Sequence, residues 1–479
     1  MKPEFGPDIF FSSIPELQAK LTAREFKAKE LAAAFAERLE TLGPNYNALA
    51  RSLRKPALSA AKYIDKEFRR ERFRGPLHGI PYGAKDLLSY AGHPTEWGAP
   101  PYKGQKFNES ATVLTRLEGV GALCIGKLAM VELAGGGGYR FANASITGPG
   151  LNPWDTSRWS GGSSSGSGAA VAAGLVPFAL ASETWGSILT PAAYCGVTGL
   201  RPSYGLVSRA GAMALSWTMD KIGAICRTAE DCGIVLQAIA GSDSADPGSA
   251  GKSFYYAPQY QRPLTELRIG WNPADFESVE DGEARKTLTE AAQVFLKMGL
   301  QVKEVELPDL PYRTVASTII GCEMASIFEP LVRDGRVDQL VDAAQAEGVR
   351  ASLEYKATDY LKAMRIRTLI QEAMGRFFDE VDVVITPSRD RIASKLDEPL
   401  DRQGPAPQPG TRKRGLMDLG AAGNIAGLPA LSLPCGFAQG MPLGISVVAR
   451  PFQENLLLVL GKQYQSQTDW HRRRPPIPA

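Results

Sequence analysis

Arg158–Tyr204 reads RWSGGSSSGSGAAVAAGLVPFALASETWGSILTPAAYCGVTGLRPSY, and the interpretation of the whole chain turns on it. The run Gly161-Gly162-Ser163-Ser164-Ser165-Gly166-Ser167-Gly168 is too rich in glycine and hydroxyl groups for an ordinary linker when an apolar segment follows directly. Small residues there let backbone turn tightly and approach other backbone or a ligand. Ala169 to Val176 reads as a tightly packed buried helix, Pro177 as a break, and Phe178 to Ala181 as a short buried strand. The strand ends at Ser182, and Glu183 to Ile188 follows as a polar turn. Two serine-bearing turns therefore flank one helix and one strand, with Ser163 and Ser187 24 residues apart. That spacing lets both serines meet in a single pocket.

A serine hydroxyl needs a base to act as a nucleophile at neutral pH. Histidine is nearly absent, with only His78, His93 and His471 in the chain. Lysine can serve where an apolar site disfavours the ammonium and lowers its pKa. Lys85 stands in such a setting, preceded by Ile80, Pro81, Tyr82, Gly83 and Ala84. Taken alone it reads as one more solvated lysine.

These segments together resemble the amidase signature family of serine hydrolases, and the resemblance runs almost end to end. Gly79-Ile-Pro-Tyr-Gly-Ala-Lys85-Asp86 resembles the family's catalytic-lysine motif, and Asn152-Pro-Trp-Asp155 with Gly161–Gly166 resembles its Gly/Ser signature. Gly186-Ser187-Ile188, Pro191–Gly196 and Gly199–Ser203 resemble the nucleophile segment. Leu215–Asp220, Asn424–Ala430 and Asp469–Arg474 match further along, in order.

Carried over residue by residue, the resemblance implies Ser187 as nucleophile, Ser163 as a bridging serine on a cis peptide bond with Gly162, and Lys85 as the base. Lys85 would accept a proton from Ser163 as Ser163 accepts one from Ser187, and water would then hydrolyse the acyl-enzyme. Backbone N–H groups of Thr184, Trp185, Gly186 and Ser187 would form the oxyanion hole. Gly136 and Gly137, in the cluster Val131–Tyr139, would line the substrate channel; read without the family, that cluster is a flexible surface loop. The chain departs from the family in the nucleophile turn. Glu183-Thr-Trp-Gly-Ser-Ile-Leu189 stands where Asp-Thr-Gly-Gly-Ser-Ile-Arg is usual. Trp185 still offers an N–H if the local backbone does not demand glycine, and Leu189 removes the usual arginine behind the nucleophile.

The remaining sequence alternates helical and strand patterns, which implies an α/β fold, a mixed β-sheet core flanked by α-helices on both faces. Ser13-x-x-Glu16 and Thr22-x-x-Glu25 read as two helix starts. Residues 267–306 read as strand, helix, strand; residues 312–378 as mostly helical; Val381–Pro387, Ala430–Leu433 and Gly444–Ala449 as strands, with a final helix from Glu454. Asp397–Arg414 is rich in Pro, Gly and charge and reads as a mobile loop or a lid. No linker divides the chain, so residues 1–479 are read as one domain, with core motifs over 79–205.

A net charge of +3 across 479 residues makes no case for nucleic acid. The six cysteines show neither Cys-x-x-Cys nor metal-ligand spacing, which fits a reducing cytoplasm. No signal peptide, membrane span, metal or cofactor is expected, and the protein is expected as monomer or homodimer. The expected activity is hydrolysis of carboxamide C–N bonds, extending by resemblance to aryl esters and carbamates such as urethanes. Trp185 with the Gly135–Gly138 loop would suit bulky or aryl substrates. Two alternatives keep the fold: one is a glutamine-hydrolysing amidotransferase subunit of the same family, the other a non-enzymatic binding subunit. The nucleophile elbow is a third, with Gly162-x-Ser164-x-Gly166 served by His471, but Asn152–Ser160 cannot supply the strand that must precede it.

Overall fold

The computed structural model describes residues 5–400 and 415–476. An eleven-stranded mixed sheet runs through the molecule. From one edge its strands are Leu49–Ser52, Leu123–Leu128, Pro81–Lys85, Phe178–Glu183, Lys221–Cys226, Thr198–Arg201, Ala430–Ala438, Met441–Ala449, Val383–Pro387, Arg268–Trp271 and Gln301–Glu304. The central strands Pro81–Lys85, Phe178–Glu183 and Lys221–Cys226 are buried at every position. Side chains alternate between the two faces of a strand, so continuous burial means both faces are covered. This is the expected α/β architecture, with residues 267–306 folding as strand, helix Gly282–Leu296 and a parallel edge strand.

Pro81–Lys85 and Phe178–Glu183 are parallel neighbours, with Gly83 and Ala84 in register with Ala179 and Leu180. Both therefore end at the same edge of the sheet, where ligand sites of parallel strands commonly form. The glycine-serine run does not follow a strand of this sheet. It leaves the separate ribbon Leu151–Asn152/Asp155–Trp159 and enters helix Ser165–Ala172, which is buried at all eight positions. Residues 312–378 form helices Tyr312–Arg333, Ala343–Ala351 and Ala357–Glu380. Tyr312–Arg333 is long and apolar enough to cross a membrane by length and composition, but Val315, Ile319 and Phe328 are buried in the protein's own apolar clusters.

One expected helix start is corrected. Ser13 caps Ile14–Thr22 with a reciprocal Glu16 bond, as expected, but Thr22 is the last residue of that helix. The chain turns through Arg24 at positive φ, and the next helix, Ala28–Leu42, begins with Glu30 bonding back to Lys27. The backbone fixes the start: Arg24 at positive φ and the extended Lys27 interrupt the helix, and from Ala28 onward the buried Ala28, Leu31, Ala32 and Phe35 form one face. Of the expected loop 397–414, residues 401–414 lie outside the described residues.

Candidate active site

Among the described residues three lysines are fully buried, and their partners differ. Lys127 lies 2.9 Å from the Asp86 carboxylate and 2.9 Å from Thr95 Oγ1, and Lys221 Nζ donates to the Met219 carbonyl. Lys85 has only hydroxyls: its Nζ is 2.7 Å from Ser163 Oγ and 2.9 Å from Ser182 Oγ. Burial pushes the Lys85 ammonium down to about 7, against the pull of the Asp220 and Glu183 carboxylates. An appreciable neutral fraction near pH 7 follows. Lys85 sits there because it ends a buried strand whose parallel neighbour ends at Ser182 and Glu183. The Gly162–Ser163 peptide is cis, as the resemblance implied.

Ser187 stands in the turn between strand Phe178–Glu183 and helix Leu189–Cys195. Thr184, Trp185 and Ser187, together with Gly162 and Tyr139, line a cavity of about 520 Å³. Ser163 and Ser187 are not hydrogen-bonded to each other, so the first link of the expected relay is formed and the second is open. Catalytic bonds are often long before substrate is bound. Among the described residues, the N–H groups of Thr184, Trp185, Gly186 and Ser187 donate to no protein acceptor. The next two N–H groups, of Ile188 and Leu189, donate to the Glu183 carboxylate at 2.9 and 3.1 Å. Glu183 thereby fixes the turn and leaves the donors before it unpaired.

The altered residues of this turn have physical accounts. Gly186 has φ +84°, whereas Trp185 is not among the residues at positive φ, so position 185 does not require glycine. The indole is half-buried against the apolar cluster containing Leu416 and Leu419 and separates the catalytic cavity from a second one of about 240 Å³ behind the turn. Leu189 brings no charge to this turn, and the Glu183 carboxylate behind it is held by residues of two other segments. Glu183 accepts from Arg201 at 2.9 Å and from Asn424 at 3.1 Å, all fully buried. Burial alone would raise the Glu183 carboxyl, and the Arg201 guanidinium and Ile188 N–H hold it at about 2.

Of the expected substrate-lining pair, Gly137 lines the cavity and Gly136 does not. Gly136 is packed under Leu215 and Met324, where a Cβ would lie 2.7 and 3.0 Å from their side chains, while its carbonyl accepts from Gln345 at 2.9 Å. The glycine cluster is thus docked on helix Ala343–Ala351, and the close approach of Gly137 to Gly348 leaves no room for a side chain at either. None of the histidines lines this cavity: His78 bonds Glu67, His93 stacks edge-on to Tyr90, and the His471 carbonyl accepts from Arg227. Histidine-elbow geometry is therefore absent at Ser164.

Sequence reasoning missed three residues. Ser182 was read only as the end of a strand, and its contact with Lys85 depends on strand register. Asp220 lies within a matched motif without an assigned role; it accepts from Thr184 Oγ1 at 2.5 Å and from the N–H groups of Leu215 and Ser216. Arg389, distant in sequence, lines the same cavity as Ser187.

Comparison with known proteins places this arrangement. A family model described as Amidase matches residues 30–458. Curated relatives include a glutamyl-tRNA(Gln) amidotransferase subunit of Gloeothece citriformis, 35% identical over 98% of this chain and 100% of the relative. The corresponding protein of Chloroflexus aggregans is 36% identical over 98% of this chain and 99% of its own. Among solved structures, the peptide amidase of Stenotrophomonas maltophilia superposes with a TM-score of 0.82 at 28% identity, covering 98% of both chains. With the family model spanning most of the sequence and relatives above 30% identity along its whole length, this chain belongs to the amidase signature family of C–N hydrolases.

Proposed function

We propose that this enzyme cleaves a carboxamide by acyl transfer to Ser187, with Lys85 as base acting through Ser163. The observation that carries the reading is a fully buried amine whose hydrogen-bonding partners are two serine hydroxyls, one of them beside the cavity that holds Ser187. Neutral Lys85 keeps one N–H on Ser182 and turns its lone pair to Ser163. Ser163 then passes a proton inward as Ser187 attacks the carbonyl carbon. The unpaired N–H groups of Thr184–Ser187 receive the developing oxyanion. The same proton returns to the leaving amine as the C–N bond breaks, and water reverses the sequence at the acyl ester. Because the neutral amine is the active form, kcat/KM should rise with pH through about 7 and level above it. A profile flat from pH 5.5 to 8.5 would contradict Lys85 as base.

The curated relatives weigh toward the amidotransferase-subunit reading more than toward a stand-alone amidase. On that reading the substrate is glutamine, the product ammonia, and activity depends on partner subunits. What supports the stand-alone reading is room: a cavity of about 520 Å³, open to solvent and with Trp185 as an aromatic wall, accepts amides larger than glutamine. We take the stand-alone amidase as the function the site supports best, with unpaired cysteines and a reducing, cytoplasmic setting consistent with it. The test is turnover of anilides, primary amides, peptide amides, aryl esters and aryl carbamates beside glutamine, with the isolated chain. Hydrolysis of the larger amides supports the stand-alone enzyme; turnover of glutamine alone supports the amidotransferase reading. In the same panel Trp185→Gly should join the 520 and 240 Å³ cavities and shift kcat/KM toward bulkier substrates by about tenfold, the scale of a few methylenes of pocket contact.

A further inference from the structure

The chain's strongest unexplained feature near the catalytic cavity is Arg389. It follows strand Val383–Pro387, and its exposed side chain lines the cavity that holds Ser187, the smaller cavity behind that turn, and a third of about 720 Å³. The third cavity adjoins the first through Trp159 and Leu400 and is lined by Arg158, Arg313, Arg391 and Lys395 against the single carboxylate Glu398. Three of these arginines are paired: Arg158 with Asp155 at 3.4 Å, Arg313 with Asp418 at 2.9 Å and Arg391 with Asp390 at 3.1 Å. Among the described residues Arg389 has no carboxylate within 4.0 Å; its guanidinium lies 5.9 Å over the Tyr194 ring, and the Tyr194 hydroxyl and, at longer range, the Asp390 carboxylate favour its charge.

We propose that Arg389 reads an anionic group, a carboxylate, on the non-reacting end of the substrate, and so selects carboxylate-bearing amides. The inference rests on the amide-hydrolase reading above and names the substrate class for that site. A guanidinium presents two parallel N–H donors matched to a carboxylate. With no carboxylate within ion-pair distance among the described residues and a place at the meeting point of three cavities, its two N–H donors are open to the carboxylate of an entering substrate. Tyr139, Trp159 and Tyr194 line the same openings and would flank the chain that carries the carboxylate.

The test has two arms. In the first, kcat/KM is measured for glutaryl-4-nitroanilide and for its methyl ester, which differ only in the remote charge. The ratio of acid to ester should fall ten- to a hundredfold in Arg389→Gln, recover partly in Arg389→Lys, and fall with added sodium chloride in the wild type. In the second, calorimetry measures glutarate binding to Ser187→Ala protein, which needs no chemistry. Binding should weaken at least tenfold when Arg389→Gln is added. An unchanged ratio, or equal glutarate affinity with and without Arg389, overturns the proposal. Arg389-dependent glutarate binding without hydrolysis of either anilide would leave the anion site standing and overturn the hydrolase reading instead. Circular dichroism and thermal unfolding of each variant separate these outcomes from misfolding, since Arg389→Lys keeps the charge and much of the length.

Discussion

Replacement of Ser187 by alanine is expected to lower kcat by about 10⁴–10⁶-fold, with Lys85→Met close behind and the double variant no worse than the poorer single one. Nucleophile and base act as one unit, so removing either ends the same step. In Ser187→Ala no oxygen remains to form the acyl ester, and residual rate comes only from the oxyanion donors and substrate positioning. In Lys85→Met a chain of similar length fills the same buried volume, but Ser163 loses its proton acceptor at 2.7 Å. Methionine also removes a buried amine that is costly to charge, so stability should hold or rise while activity is lost. That opposition separates a catalytic lysine from a structural one. Steady-state turnover with the best substrate of the panel, alongside urea unfolding, decides it: more than a tenth of wild-type kcat in Lys85→Met would remove the lysine from the mechanism.

The second large effect is expected at Glu183, which no part of the reacting substrate touches. Glu183→Gln should destabilise the protein by about 3–5 kcal/mol, the scale for breaking a buried ion pair by removing one partner. Arg201 is 1% exposed, and its Nη2 already lacks a hydrogen-bond acceptor among the described residues, so an uncharged neighbour leaves the guanidinium unpaired in the interior. The sign with pH follows from the direction of the shift. Glu183 is held at about 2 in the folded state, below its ordinary range near 4.5, so its contribution is present above pH 4.5 and is lost as pH falls toward 2. Glu183→Gln should therefore flatten the acid side of the stability profile between those values. Activity should fall as well, because the amide cannot hold Ile188 N–H, Leu189 N–H, Arg201 and Asn424 as a carboxylate does. Urea midpoints at pH 7 and pH 3 measure both; a midpoint unchanged at pH 7 would show that the pair contributes nothing.

Much of this site was legible in the residues. Lys85, Ser163 and Ser187 could be nominated because each lies in a compact motif whose order is itself information, and the structure brings Lys85 to Ser163. The α/β alternation was legible because buried strands and amphipathic helices carry different periods. The misread helix start at Thr22 shows the limit of local patterns: a capping spacing marks a start only where the backbone after it stays helical, and here Arg24 and Lys27 leave the helical region first. Gly136 shows another. A glycine run does not say which member faces a cavity and which is pressed against Leu215 and Met324, since that depends on the helix Ala343–Ala351 more than two hundred residues later.

The sequence by itself determined the family, the fold class and the three residues expected to react, because short motifs constrain their own backbone and the chemistry their side chains can do. Only the tertiary structure decided that Ser182 shares Lys85, that Arg201 and Asn424 converge on Glu183 behind the turn, and that Arg389 lines the cavity that holds Ser187. Those contacts join residues brought together by sheet order and register. Electrostatic and hydrogen-bond energies depend on distance in space, for which separation along the chain is no guide.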